Sequence, residues 1–441
     1  MSRGIKKSLI ALSVSGVLFA PSAFATNGYF SHGYSTSEKG LAGAGVAHSS
    51  DSLASATNPA GLVKVGSRMD VGAALFNPNR QYTIEGAPNP PPAFGLAPGT
   101  YESDHSLFLI PHIGYNSMID DSSSWGIAAY GNGGMNSSYS GADVPPAGTF
   151  YGGTAGVNLS QLFINLSYSK QLNDKHSVGA SAIFAYQMFK ADGLGAFGAQ
   201  GYSNDDTKLT NKGDDTSMGF GVKLGWQGEI TQAITLGVSY QSEMAMSEFD
   251  DYAGLFAEQG DFDIPASATL GLAWKTSKSS TLVFDIQQIY YSDVASIGNG
   301  IENLFACAAA GSAPQPTCLG GSNGAGFGWD DMTVFKLGYE WGDDITWRVG
   351  VSTTDQPIQG GGETTPPPNG SQVLFNILAP GVVETHITAG MTMPLGSNSE
   401  ISFAAMYAPS TSVKGSTQFD AQTAELEMDQ FELQGTYTMK F

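Results

Sequence analysis

Apolar and polar residues alternate along most of this 441-residue chain, most cleanly at its end. Over residues 431–441, Phe431, Leu433, Gly435, Tyr437, Met439 and Phe441 fall on one face of an extended segment. Glu432, Gln434, Thr436, Thr438 and Lys440 fall on the other. Successive strand side chains point to opposite faces, so this ribbon has one apolar and one wet side. About ten such residues, tilted, cross a bilayer as one strand of a barrel. Thirteen earlier segments repeat the pattern, at 68–77, 106–116, 125–135, 157–172, 176–190, 218–230, 233–246, 264–275, 280–294, 332–340, 345–353, 383–393 and 400–408. Phe220, Val222, Leu224 and Trp226, for example, oppose Gly221, Lys223, Gly225 and Gln227. A period of two reads as strand, not helix.

The connections add independent information because they alternate short and long. Short turns fall at 120–124, 173–175, 231–232, 276–279, 342–344 and 395–399. Long loops fall at 78–105, 136–156, 191–217, 247–263, 295–331, 354–382 and 409–430. Outer-membrane barrels have short periplasmic turns, long external loops and an even strand number. The expected fold is therefore all-β: a 14-stranded antiparallel transmembrane β-barrel over residues 68–441, with both ends in the periplasm.

The N-terminus agrees. Arg3, Lys6 and Lys7 precede a short apolar core at 8–19, then Pro21 and Ala23-Phe24-Ala25. This pattern predicts a cleavable export signal over residues 1–25 and a mature start at Thr26. Removing those three cations takes the formal charge from -21 to -24, which excludes binding of nucleic acid through its phosphates. Cys307 and Cys318 lie close together, and in an oxidising compartment they are expected to form one disulfide that staples a loop. The loop pairs Asp205-Asp206, Asp214-Asp215, Asp250-Asp251 and Asp330-Asp331 read as solvated charge rather than metal or acid–base sites.

Residues 26–67 do not alternate. They are small and glycine-rich, yet they carry Tyr29, Phe30, Tyr34, Leu41 and Leu53 to bury, and Asn58, Pro59 and Ala60 mark a fixed turn. A barrel of fourteen strands would otherwise leave a pore, so the segment is expected to plug it as a hatch. On the third strand, Gly131, Asn132, Gly133 and Gly134 fall at membrane depth, where strand glycines mark bends and bulges.

Several of these residues form an ordered set: Gly28-Tyr29, the run from Gly40 to Ala47, Asp51 and Asn58-Pro59-Ala60, then the run from Tyr130 to Asn136. Asp263-Ile264-Pro265, Trp329-Asp330-Asp331, Trp347-Arg348-Val349-Gly350 and Pro357-Ile358 continue it. The set resembles the FadL/OmpP1/TodX family, outer-membrane channels for long-chain fatty acids and aromatic hydrocarbons. The resemblance implies a monomeric barrel with an N-terminal hatch. It also implies capture of substrate on a hydrophobic groove of outer loops and sideways release through a gap at a kinked third strand. No cofactor is implied. Surrounding lipid, lipopolysaccharide and the barrel-assembly machinery that reads the terminal Phe are the implied partners.

Within that frame, Gly131 to Gly134 are the expected kink, and Leu194, Phe197, Leu255 and Phe256 the expected capture groove. Tyr29, Phe30, Lys223, Lys336, Arg348 and His386 are the candidate lumen ligands, Arg348 foremost for a fatty carboxylate because its fork bonds carboxylates bidentately. By alternation Lys440 points inward as well, with Asp285, Glu340 and Glu432, and ion pairing among these groups is the competing role. Long-chain fatty acids are the expected substrates, with aromatic hydrocarbons or a purely structural barrel as alternatives. The proline-rich outer stretches Pro88, Pro90 to Pro92 and Pro366 to Pro368 depart from the family pattern and put the outer capture site in question. His105, His112 and His386 have no partner that sequence can place, so an enzyme is not expected.

Overall fold

The period-two stretches form strands because alternate residues then meet two different solvents, lipid outside and the barrel interior inside. The computed structural model describes residues 27–87, 95–141, 148–310, 314–360, 372–417 and 422–441. The export segment, Thr26 and the proline-rich stretches lie outside the described residues.

Fourteen strands among the described residues close the barrel. They are β1 (Arg68–Glu85), β2 (Phe108–Asp120), β3 (Ser123–Asn136), β4 (Gly156–Gln171), β5 (His176–Asp192), β6 (Asp215–Glu229) and β7 (Ile234–Gln241). The second half is β8 (Ser267–Ser277), β9 (Ser280–Ile289), β10 (Met332–Trp341), β11 (Thr346–Thr353), β12 (Thr385–Pro394), β13 (Ser399–Ser416) and β14 (Thr423–Lys440). Each pairs antiparallel with the next, and β14 returns to β1 from Arg68↔Lys440 to Glu85↔Thr423. Closure matters because a sheet edge facing lipid would carry unsatisfied backbone groups.

The outer face is apolar, with Val71, Leu75, Ile127, Leu166, Val349 and Leu433 all exposed. Trp125, Trp274, Trp341 and Trp347 sit beside the short turns, as an aromatic girdle requires. Glu432, Gln434, Thr436 and Thr438 are buried inside. Lys440, by contrast, is half exposed and pairs with Glu400 at the short-turn end, so it belongs to the rim and not to the lumen.

Three strands outrun their sequence pattern. β1 and β13 end eight residues later than expected, at Glu85 and Ser416, and β14 starts eight earlier, at Thr423. The expected loops at 78–105 and 409–430 are therefore partly strand. There the polarity inverts. Ala424, Leu426 and Met428 are buried inward, while Glu425, Glu427 and Asp429 point outward, which fits water and not lipid. β7 is shorter than expected, and Ala245–Met246 pairs separately with β6 at Gly219 and Phe220. β9 also stops early, at Ile289, and is followed by a tight turn at Tyr291–Asp293.

Residues 27–67 lie inside the barrel as short helices Thr36–Lys39 and Ala54–Thr57 and a 3-10 turn Pro59–Lys64. They are tied to the wall by polar side chains. Lys39 pairs with Glu432 at 2.6 Å, both buried. Asp70 accepts from the backbone N–H of Ser52, from Arg68 and from Thr438. Asn58 caps the 3-10 turn by accepting from the Ala60 N–H at 3.1 Å. Its amide also donates to the carbonyls of Val46 (2.7 Å) and Trp226 (3.0 Å). A Cβ at Gly225 would lie 1.9 Å from Asn58 Oδ1, so the turn seats directly on the wall. Asn58→Ala removes three bonds from a buried turn, a loss of about 1–3 kcal/mol of docking. Hatch amides should then exchange hydrogen at least about fivefold faster, while the barrel keeps its heat-modifiable migration in gels.

Candidate functional site: a gap beside the third strand

β3 pairs with β2 only from Asp120↔Ser123 to Ile113↔Ala129. It stays paired with β4 to its end, at Asn136↔Asn158, with one extra residue, Asn132, between the Gly131 and Gly133 pairs. The bulge bends the strand away from β2, as bulges do. Phe108 to His112 of β2 then pair with β1 alone. Beyond Ile127, β3 has no exposed residue, so the strand has turned inward from the lipid face.

The hatch fills the space. Residues 27–30 form a tight hairpin in which Asn27 and Phe30 exchange backbone bonds at 3.0 and 3.2 Å. Phe30 bridges to Gly133, the Ser31 N–H donates to the Asn132 carbonyl at 2.8 Å, and the Gly134 N–H donates to the Tyr29 carbonyl at 3.0 Å. A Cβ at Gly133 would stand 2.0 Å from that carbonyl, so only glycine admits the hairpin. At the outer rim Arg80 of β1 reaches over Phe108 and donates to the Asn136 carbonyl at 2.6 Å. Inside, side-chain amides run from Asn132 to Gln161 (2.9 Å), Gln161 to Gln187 (2.8 Å) and Gln187 to the Phe262 carbonyl (2.9 Å).

Leu194, Phe197, Leu255 and Phe256 come together, with Phe189, Leu319, Phe327 and Phe375, around about 490 Å³ of space in the outer loops. Ser296 is the one hydroxyl in that lining. Cys307 and Cys318 form a disulfide. The neighbouring Leu319 is held in the wall by backbone bonds to Tyr202 and Asn204 at 2.9 Å. From this groove aromatic rings continue inward: Phe256 to Phe262 (4.8 Å), Phe262 to Tyr29 (6.1 Å) and Tyr29 to Phe30 (5.2 Å). A second line runs from Phe327 to Trp329 (5.9 Å), then to Tyr291 (5.2 Å) and Tyr29 (5.2 Å). Both end on the hairpin in the gap.

The lumen cations do not join that line. Arg348 donates to Glu340 at 2.7 Å and to Thr392 at 2.7 Å, so it is engaged by the barrel's own groups in the competing role of ion pairing. His386 bonds Ser352 at 3.1 Å and stacks on His32, with ring centres 5.5 Å apart. Lys336 donates to the His32 and Gly43 carbonyls, and Lys223 to the Ala56 carbonyl. These two lysines share a polar chamber with His32, Asp285 and Gln287. The loop aspartates act locally: Asp205 accepts from the Thr207 N–H, Asp215 from Asp251 and Asp331 from Ser292. Among the described residues no group of three or more His, Cys, Asp and Glu is arranged to hold a metal.

A family model described as "Outer membrane protein transport protein (OMPP1/FadL/TodX)" matches residues 16–377. The chain belongs to this family. It is an outer-membrane β-barrel channel for hydrophobic compounds. No curated protein matches it by sequence. Among solved structures, the Pseudomonas putida toluene transporter TodX superposes with a TM-score of 0.64 at 16% identity, covering 93% of this chain and 99% of TodX. A Pseudomonas aeruginosa FadL homologue gives 0.65 at 14% identity, covering 94% and 100%. The Ralstonia pickettii toluene transporter TbuX gives 0.61 at 16%, covering 93% and 99%. At these identities the likeness shows the shared fold.

Sequence reasoning reaches Trp329 in this family member only through a motif, and it does not reach Tyr291, Gln161 or Gln187. The two glutamines had one available signal: both occupy inward positions on strands whose neighbours are apolar.

The hatch also carries titratable groups. Burial, with Asp51 nearby, raises the Glu38 carboxyl to about 8, and burial with Asp70 nearby raises Asp51 to about 6. Both are therefore more protonated seated than released. That contribution to seating is complete below about pH 4, declines as pH rises, and is gone above about pH 8. Hydrogen exchange over residues 36–57, corrected for intrinsic rates, should be faster at pH 9 than at pH 6. Glu38→Gln should remove most of the difference; equal exchange at the two pH values in the unsubstituted chain would contradict the assignment.

Proposed function

We propose that this channel carries small neutral aromatic hydrocarbons, captured in the outer groove and released sideways into the membrane past Gly131 to Gly134. One observation carries the reading: the rings from Phe256 to Phe30 form an unbroken apolar line from groove to gap, while among the described residues Lys223, Lys336 and Arg348 bond polar groups away from it. An apolar molecule gains nothing by entering water, so a path that ends at the bilayer avoids re-exposing its surface. The toluene transporters named above are consistent with this choice. The hairpin of residues 27–30 withdraws to open the gap, while the hatch stays anchored at Asn58, Pro59 and Ala60. Flow follows the concentration gradient and needs no cofactor. The closed barrel works as a monomer in outer-membrane lipid and lipopolysaccharide, assembled through its terminal Phe441.

Long-chain fatty acids are the second reading, favoured by Lys223 and Lys336. Among the described residues neither has an ion-pair partner, and both bond backbone carbonyls only. A carboxylate entering their chamber would gain charge-assisted bonds.

Uptake of labelled toluene and labelled oleate, in cells lacking other channels of this kind, separates the two. Toluene uptake at least about tenfold above background, with oleate at background, is expected. The reverse, abolished by Lys223→Ala, would support fatty acids, and uptake of neither would indicate a structural barrel. Deleting Asn132 removes the bulge, restores continuous β3 pairing and should reduce uptake to background in a folded barrel.

A further inference from the structure

A side chain from outside the hatch hydrogen-bonds the hairpin that fills the gap. Tyr291 follows β9 at the start of the outer loop leading to β10, and its ring is fully buried. Its hydroxyl donates to the Asn27 carbonyl at 2.6 Å and accepts from the N–H groups of Tyr29 and Phe30, each at 3.2 Å. A single phenol thus occupies three backbone groups of a four-residue hairpin. The fit is steric as well. Gly28 has φ +63, and a Cβ there would lie 2.7 Å from the Tyr291 ring. Phe30 meets the same ring edge-on at 5.7 Å.

Tyr291 is also the point where the outer groove reaches the hatch. Trp329 packs against it at 5.2 Å and 83°, and Trp329 in turn touches Phe327 of the groove wall. Trp329 is fixed by its indole N–H, which donates to Asn376 at 2.6 Å. Ser292, next along the chain, is tied to Asp331. Loop and latch therefore form one packed body, and the hairpin is the part that can leave it.

We infer that Tyr291 is a positioning residue that latches the hatch hairpin into the β3 gap, and that an aromatic substrate parting Trp329, Tyr291 and Tyr29 releases the latch. The N–H of Tyr29 has no other hydrogen-bond partner among the described residues, so losing the hydroxyl leaves a buried donor unpaired. The hairpin then favours withdrawal. The barrel wall is unaffected, since its own ladders close it.

The test places a thiol reporter at Ser31→Cys, a position 6% exposed in the seated hatch, in the full-length protein in outer membranes. The two native cysteines are bonded to each other, so maleimide reads the reporter alone. Tyr291→Phe keeps the ring and should raise the labelling rate about tenfold, the scale of one lost buried hydrogen bond. Tyr252→Phe removes another buried phenol, one that bonds loop backbone at Ala191 and Gly213, and should leave labelling unchanged. Gly28→Ala attacks the same contact from the hatch side and should act like Tyr291→Phe. Saturating toluene should speed labelling with Tyr291 present and add little in Tyr291→Phe. That arm rests on the hydrocarbon reading proposed above, whereas the arm without toluene does not. Labelling within twofold of the parent in both Tyr291→Phe and Gly28→Ala would overturn the latch, as would an equal rise in Tyr252→Phe. Failure of both variants to assemble would overturn it too, because a latch holds the plug and not the barrel.

Discussion

A strand that leaves its neighbour inside a membrane exposes backbone N–H and C=O groups that lipid cannot satisfy, and everything distinctive here follows from how that edge is covered. β3 parts from β2 after Ala129 because of a single extra residue, Asn132. The freed backbone is taken up by the chain's own hatch, through Tyr29, Phe30 and Ser31. A cover made of two backbone hydrogen bonds can be removed, whereas a strand ladder cannot be without opening the barrel. The edge is therefore closed at rest and openable in use.

That arrangement divides the hatch into two parts with different chemistry. Its body is held by buried polar and ionic contacts, among them Lys39 with Glu432, Ser52 with Asp70 and Asn58 with the Trp226 carbonyl of the wall. Breaking one partner of a buried ion pair is expensive, so the body is suited to stay in place. Its tip rests on aromatic rings and on the Tyr291 hydroxyl. Aromatic contacts are what a hydrophobic molecule can replace ring for ring, so the tip can give way to substrate without stranding a charge. The position of Arg348 makes the same point: paired with Glu340, it serves the wall near the hatch body.

Much of the fold was readable because lipid imposes a strict rule on strands. Phe431 to Phe441 alternate without a break, and the short and long connections fix the strand number and the side on which the chain ends. The reading stopped where lipid stops. Beyond the membrane β1, β13 and β14 continue with polar residues outward and mostly apolar residues inward, a pattern that resembles loop when lipid is assumed outside. The glycines at 131, 133 and 134 carried a local signal, since strand glycines mark bends, and the break falls at Asn132 among them. For Arg348 alternation gave the inward face of the side chain but not its partner, which is Glu340. Tyr291 had no signal at all: its partners Asn27, Tyr29 and Phe30 lie more than 260 residues away, and only the folded barrel brings them together.

The central claim is that substrate passes where the hatch hairpin covers the edge of β3. Ser31 and Asn132 are bonded neighbours across that contact, with the Ser31 N–H 2.8 Å from the Asn132 carbonyl. A chain carrying Ser31→Cys and Asn132→Cys can be locked there by oxidation, with the unsubstituted chain under the same conditions as control for the native disulfide. The account predicts that toluene uptake falls to background on locking and returns on reduction. Undiminished uptake through a fully cross-linked, folded barrel would contradict it.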